Sequence, residues 1–382
     1  PMHQQLQYKE SGHNLFGGFM EQNDVFMIHG TEYRDMTIQL LREVNLAAEI
    51  GDRKKKVGIK PNLVAATPAS HGATTHPEIV DGLLSYLKEN GFEQIQVMEG
   101  SWVGEKTMNA ARANGILDVC QKHQVEFVDL QKDQTITCER NGMKIQVCKK
   151  ALEVDYMINL PVVKGHCQTH ITCALKNSKG FIPNSEKRRF HRMGLHKPIA
   201  VLNTLIHQDF ILADNICGDL EFEEGGSPVT MNRVLAWKDP VLCDSFAAEI
   251  MGYHPYEISY IRLAEELGIG KADTKAINIH ELNQQEGDLQ TAVPTGKTRR
   301  LSAYVKPQDA CSACYGSLIH ALGRLEEKGV LQGKEKIAIG QGYRNKTGTI
   351  GIGQCTKCFE KSLAGCPPKA VEIVQFLEKE WQ

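Results

Sequence analysis

No stretch of about 18 consecutive apolar residues occurs in this 382-residue chain, so no segment reads as a membrane-spanning helix. The opening residues, PMHQQLQYKE, lack the basic start and apolar core of a signal peptide, and a cytoplasmic placement is the expectation. An excess of charge of one sign is missing too. With 44 Lys+Arg against 46 Asp+Glu, the net charge of -2 gives no global pull toward nucleic acid or an anionic membrane, and neither is expected as a partner. The phosphate-cradling patterns are absent: no GxGxxG follows the first expected strand, and no GxxxxGK precedes a Ser or Thr. GxSxG and HExxH are absent as well, which removes the usual hydrolase elbow and zinc-protease helix. What is present is an ordinary folded composition, 41% hydrophobic and 24% charged, long enough for two or three domains.

The periodicity alternates. Residues 1–30 are polar and Gly-rich and read as an irregular arm. Beyond them come a helix in DMTIQLLREVNLAAEIG, a strand in KKKVGIKPNL, a helix from Pro77 to Gly91 and a strand in FEQIQVMEG. The rhythm continues through a helix in KTMNAARANGILDVCQKH, a strand in VEFVDL, a hairpin turning at Asn141-Gly142, and strands in DYMINLPVV and FILADNICGD around a helix in IAVLNTLIHQ. Such alternation predicts an α/β fold with a doubly wound, mainly parallel sheet over residues 31–280. Residues 281–300 are aperiodic and read as a linker. Residues 301–382 form a second, smaller α/β unit, with strands expected in LSAYVK, KIAIGQG and GTIGIGQC.

Cysteine is unevenly distributed. Of the 12, seven are scattered over positions 120–243 and five cluster in 311–366. In a chain read as intracellular, scattered cysteines are usually small core residues, whereas clustered ones point to metal or redox chemistry. Cys311 and Cys314 form a CxxC where a helix should start, and Cys355, Cys358 and Cys366 follow about forty residues later. Pro367 and Pro368 are expected to open the last helix, leaving Cys366 just ahead of it. Helix N-termini favour thiolates and the negative charge of a thiolate-bound cluster. Four such thiolates suit one 4Fe-4S cluster or a tetrahedral zinc. Gly351, Gly353 and Gly365 would let backbone N–H groups approach cluster sulfides, and they favour iron-sulfur. The expected ligands are Cys311, Cys314, Cys355 and Cys366, with Cys358 as the alternative to Cys355.

In doubly wound sheets ligands bind beyond the carboxyl ends of the strands. Here those ends deliver Lys60 and Asn62, Glu99 and Ser101, Lys164, His166 and Thr169, and Asp214. Lysines at the ends of apolar strands suggest an anionic ligand. A loop after 173 adds Lys176, Asn177 and His191, and the basic run Lys187, Arg188, Arg189, Arg192 reads as a solvated face, a lid or an RNA-contacting patch. Asp239 reads as a helix cap, and Asp244 as a support for a pocket lysine.

VGIKPNLV with THPEIVDGLLSYLKENG, then VVKGHCQTHITCALKNSKGFIP, LADNICG, EEGGSP and WKDPVLCDSFAAEIMGYHP, together resemble the DUF362 family over about residues 55–270. The resemblance implies iron-sulfur cysteines, and AGCPP is similar to cluster-binding loops in small subunits of nickel-iron hydrogenases. The ferredoxin-like appendage usual in the family is missing, so one cluster is expected. Its recurrent residues map onto Lys60, Asn62, His76, Lys164, His166, Lys176, Asn177, His191 and Asp214. The expected function is an iron-sulfur enzyme acting on a small anionic substrate. Lys164, His166, His191 and Asp214 would be catalytic, and Lys60, Asn62, His76, Glu99, Thr169, Lys176 and Asn177 would bind the substrate. A non-catalytic electron-transfer or cluster-carrier protein with a protein partner is the first alternative, and zinc-stabilised RNA binding through residues 187–197 the second.

Overall fold

In the computed structural model, residues 19–283, 297–331 and 333–381 are described. Most of the expected arm and linker, residues 1–18 and 284–296, lies outside them. The large sheet begins with β1 (Asp24–His29), a strand inside the stretch that sequence assigned to an irregular arm. Then follow β2 (Val57–Pro61), β3 (Ile95–Glu99) and β4 (Glu126–Asp129). Thr135–Arg140 and Met143–Cys148 form the hairpin β5–β6, which turns where expected because Asn141 and Gly142 both take positive φ, 50° and 70°. The large sheet resumes with β7 (Tyr156–Leu160), and a second small hairpin pairs β8 (Lys164–His166) with β9 (His170–Thr172). It is completed by β10 (Phe210–Asp219), β11 (Pro228–Trp237) and β12 (Asn278–Glu281).

The order is β12-β1-β11-β10-β7-β2-β3-β4, parallel throughout except where β11 pairs with β1 and with β10. Both faces are covered. On β1, Val25 and Met27 enter one apolar layer while Phe26 and Ile28 enter the other, the alternation that a doubly covered sheet requires. The helix Pro77–Glu89 starts at its proline as expected, but the single helix expected at 106–123 is two, Thr107–Asn114 and Ile116–Lys122, broken at Gly115 with φ 97°.

A separate, wholly parallel sheet runs β13 (Val305–Pro307), β14 (Ile337–Ile339), β15 (Ile350–Ile352) and β16 (Lys361–Leu363). It packs with helices Ser312–Glu327 and Ala370–Glu380 around its own core, which also takes Phe222 from the large unit. Two expectations change here. The first half of LSAYVK is helical, Lys297–Ser302, and the last helix starts at Ala370 behind Lys369. Pro367 and Pro368 therefore precede the helix rather than open it.

Candidate functional site

From β2 the chain steps outward to β3 and β4, whereas β7 and β10 lie on the other side of β2. The switch point between β2 and β7 leaves a crevice at the strand ends. Asn62, Val64, Glu99, Trp102, Lys164, Lys176, Asn177, Lys179, Lys187, His191, Glu223 and Cys311 are among the residues that line it. Lys60 lies behind this wall, fully buried. Its Nζ donates to Glu99 Oε2 at 2.8 Å and to Pro61 O at 2.8 Å. Glu99 is saturated in turn by the N–H groups of Leu63 and Gly100. Burial pushes the Lys60 ammonium below its ordinary pKa, and the Glu99 carboxylate opposes that push.

The lysines come from three directions. Lys164, at the start of β8, is buried and donates to Ala73 O at 2.5 Å and Glu223 O at 2.8 Å. Burial and the nearby Lys176 bring its pKa down to about 7. Lys176, on the short helix Ala174–Asn177, donates to Thr172 Oγ1 at 3.3 Å, and burial brings it to about 8. Lys179 reaches His191 Nε2 at 3.4 Å; burial and then Lys176 push it well below its usual value. Lys187, on helix Asn184–Arg192, is buried and donates to Gly100 O at 2.9 Å and Ser101 O at 2.7 Å; burial lowers it to about 8. The basic run is thus not one solvated face, since its first lysine is a wall of the crevice.

His166 stands one layer back. Its Nδ1 accepts the backbone N–H groups of Gln168 at 3.0 Å and Thr169 at 3.1 Å, so the ring proton belongs on Nε2, which faces Glu223 Oε1 at 3.1 Å. Burial keeps the ring neutral, with a pKa lowered to about 3. His166, Cys167 and Glu223 lie close enough to hold a metal ion, as do Cys173, Cys243 and Asp244. In the first group the Nε2 proton occupies the position a metal would need. In the second, Asp244 Oδ1 accepts Leu175 N–H at 3.2 Å, supporting the helix that carries Lys176 rather than touching a lysine.

Beside the crevice, Cys311, Cys314, Cys355 and Cys366 line a second pocket with Arg188, Arg344, Gln341 and Gly353. Cys311 lines both cavities. Cys358 is exposed and lines neither. Cys311 caps helix Ser312–Glu327, so the first CxxC sits at a helix start, whereas Cys355 lies in the 3-10 turn Gln354–Thr356 that leads to β16. A hydrogen bond from Cys314, with Arg188 and Arg344 nearby, brings Cys366 down to about 6 and raises Cys314. Arg344 also hydrogen-bonds Cys355, and Gln341 Nε2 donates to Cys311 Sγ at 3.4 Å. Gly353 takes φ 97°, a conformation that favours glycine, and its bare backbone lines the pocket beside Cys314. The donor set fits an iron-sulfur group: four thiols, two arginines against its negative charge, and a bare backbone wall.

Of the expected substrate and catalytic residues, Asn62, Glu99, Lys164, Lys176, Asn177 and His191 line the crevice. Lys60, His166 and Thr169 support its walls. His76 and Asp214 do not reach it; they pair with each other at 2.8 Å. Lys179, Glu223 and Trp102 are additions. Lys179 lies three residues beyond Lys176, one helical turn, and that spacing was its available signal. Glu223 carried no signal apart from its place in EEGGSP, one of the strings that carry the resemblance.

Among known proteins, the family model described as domain of unknown function DUF362 matches residues 57–249. A thylakoid-associated protein of Synechocystis sp. is 26% identical over 230 residues, 57% of this chain and 69% of that protein. Among solved structures, the lactate racemase apoprotein of Thermoanaerobacterium thermosaccharolyticum is similar at TM-score 0.41 and 13% identity over 59% of this chain. A Thermotoga maritima protein is similar at TM-score 0.37 and 15% identity over 62% of this chain. The chain spans 56% and 60% of the lengths of these two structures. Among the described residues, no helix is long and apolar enough to cross a membrane.

Proposed function

Because the chain belongs to the DUF362 family, whose name assigns no reaction, its chemistry has to be read from the site itself, and we propose an iron-sulfur enzyme that binds a small anion in the lysine crevice beside one 4Fe-4S cluster. The observation that carries this reading is Cys311, which lines the thiol pocket and the crevice alike. Cys311, Cys314, Cys355 and Cys366 would hold the cluster.

When bound, such a cluster held by four thiolates supplies one-electron transfer. The chain's own groups do the rest. Lys176, Lys179 and Lys187 neutralise and orient the anion, and the surrounding burial excludes water and strengthens each contact. Lys164, with its pKa brought to about 7, can take up or give a proton at Nζ near neutral pH. His191 faces the same space, and His166 holds Glu223 in position.

Anaerobic purification followed by iron and sulfide analysis tests the cluster, with about four of each per chain expected and Cys311→Ser losing most of both. A colourless zinc protein would overturn it. Cluster spectra that shift on adding an anion, and no longer do so in Lys176→Gln, support the enzyme reading. Spectra indifferent to every anion, with rapid exchange of electrons with a redox protein, would favour the electron-carrier alternative.

A further inference from the structure

Four ammonium groups line the crevice, on Lys164, Lys176, Lys179 and Lys187. Their hydrogen-bond partners are backbone carbonyls, Asn62, Thr172, Asn184 and His191, all uncharged. Among the described residues, the buried Lys60–Glu99 contact is the one lysine–carboxylate bridge at this site, and no carboxylate comes within 4.0 Å of the other four lysines. The two acids that line the crevice are both engaged elsewhere. Glu99 serves Lys60 and two backbone N–H groups, and Glu223 serves His166 and Cys167.

Lys164 and Lys187 are buried and Lys176 and Lys179 half-buried, and burial pulls all four amines below their ordinary pKa, so protonating them together demands a counter-charge. A single carboxylate would meet only part of that demand. The cations also arrive from separate elements: Lys164 from β8, Lys176 and Lys179 from one helical turn, and Lys187 from helix Asn184–Arg192. Between them, Val64, Trp102 and Val103 line the crevice with apolar surface.

We infer that the ligand of this crevice is a compact molecule bearing at least two acidic groups on a short carbon skeleton, its acids divided among the separate lysines and its carbons set against Trp102, Val64 and Val103. The inference rests on the anion-binding reading of the crevice and narrows it to a class. Proton uptake on binding follows. Ammonium groups held below their ordinary pKa by burial and mutual repulsion regain protons when a dianion joins them.

The test is calorimetric titration of the purified protein at pH 8 and constant ionic strength with acetate, succinate, propane-1,2,3-tricarboxylate and glycerol phosphate. Succinate or the tricarboxylate should bind at least about tenfold more tightly than acetate, and repetition in two buffers of different ionisation enthalpy should reveal net proton uptake. Tight binding confined to glycerol phosphate, whose whole charge sits on one phosphoryl group, would overturn the inference and leave the anion site standing. Lys176→Gln, at a half-buried position, should lose most of the preference for multiple charge, while Arg192→Gln, at the exposed end of the neighbouring helix, should keep it. Acetate binding as tightly as the dianions would overturn the inference and leave the anion site standing. Failure of all four probes to bind would overturn both.

Discussion

The Asp214 carboxylate takes two hydrogen bonds from one residue: its Oδ2 stands 2.8 Å from both the ring Nδ1 and the backbone N–H of His76. Asp214 lies in the middle of β10 and His76 caps the helix that begins at Pro77, so the pair ties sheet to helix in the core. Burial disfavours the imidazolium, but the carboxylate outweighs it and holds the His76 pKa up at about 10. Because the folded value lies above the ordinary one, the pair's contribution is complete below about pH 6.5 and is lost as pH rises toward 10. The buried lysines, whose pKa values are lowered, act in the opposite direction in any variant, so the pair is read from a comparison by urea denaturation. Asp214→Asn should be less stable than the parent by about 3 kcal/mol at pH 6, and the gap should close as pH rises from about 7 to 10. Equal slopes in the two proteins would refute the pairing.

A second prediction concerns Gly180. A Cβ added there would run into Glu99 Oε1 and Lys60 Cε, so the Lys60–Glu99 pair closes only over a bare backbone. Gly180→Ala should cost about 1–3 kcal/mol and should also weaken anion binding, because Gly180 and Glu99 both line the crevice. Gly91→Ala is the comparison. Its Cβ would meet nothing within 4 Å, although its φ of 82° carries a backbone penalty of its own. Stability should therefore fall in both variants and anion affinity in Gly180→Ala alone.

The parallel strands were legible because burial on both faces writes them as unbroken apolar runs, such as FILADNICGD for β10. β1, DVFMIH, has the same character, but it follows a polar, Gly-rich stretch whose irregular pattern hides it. β11 begins with exposed residues next to a Gly-rich loop, and its antiparallel pairing breaks the strand-helix rhythm that guided the rest. At the site, Lys60 was readable as a lysine near the end of an apolar strand, whereas Lys164, read as following the strand in DYMINLPVV, opens β8. Which polar residues meet across the crevice was not readable, since Glu223 and Lys187 arrive through long-range packing that no local spacing records. His76 and Asp214 were grouped with the crevice because strand-end position does not say which way a side chain turns.

Among the clustered cysteines, Cys358 and Cys355 part company. Cys355 shares a cavity with three other thiols, whereas Cys358, three residues on, is exposed. Cys355→Ser should lose most of the bound iron measured after anaerobic purification, and Cys358→Ser should keep it. Iron lost in Cys358→Ser and kept in Cys355→Ser would exchange their roles and require this loop to rearrange around the metal group.

Lys187 and Arg192 test what the basic run is for. Both lie on helix Asn184–Arg192, yet Lys187 is 3% exposed while Arg192 is open to solvent. Lys187 Nζ satisfies two carbonyls, Gly100 O and Ser101 O, in the loop that follows β3. Lys187→Ala leaves both without that donor and should cost about 1–3 kcal/mol, whereas Arg192→Ala should stay within about 0.5 kcal/mol. An RNA-binding face would behave differently. There, each substitution would lower RNA affinity and flatten its salt dependence, with little effect on folding. Thermal unfolding and a salt series of RNA-binding measurements on the two variants separate these outcomes. Loss of stability confined to Lys187→Ala, with no RNA binding to lose, is the result that burial predicts.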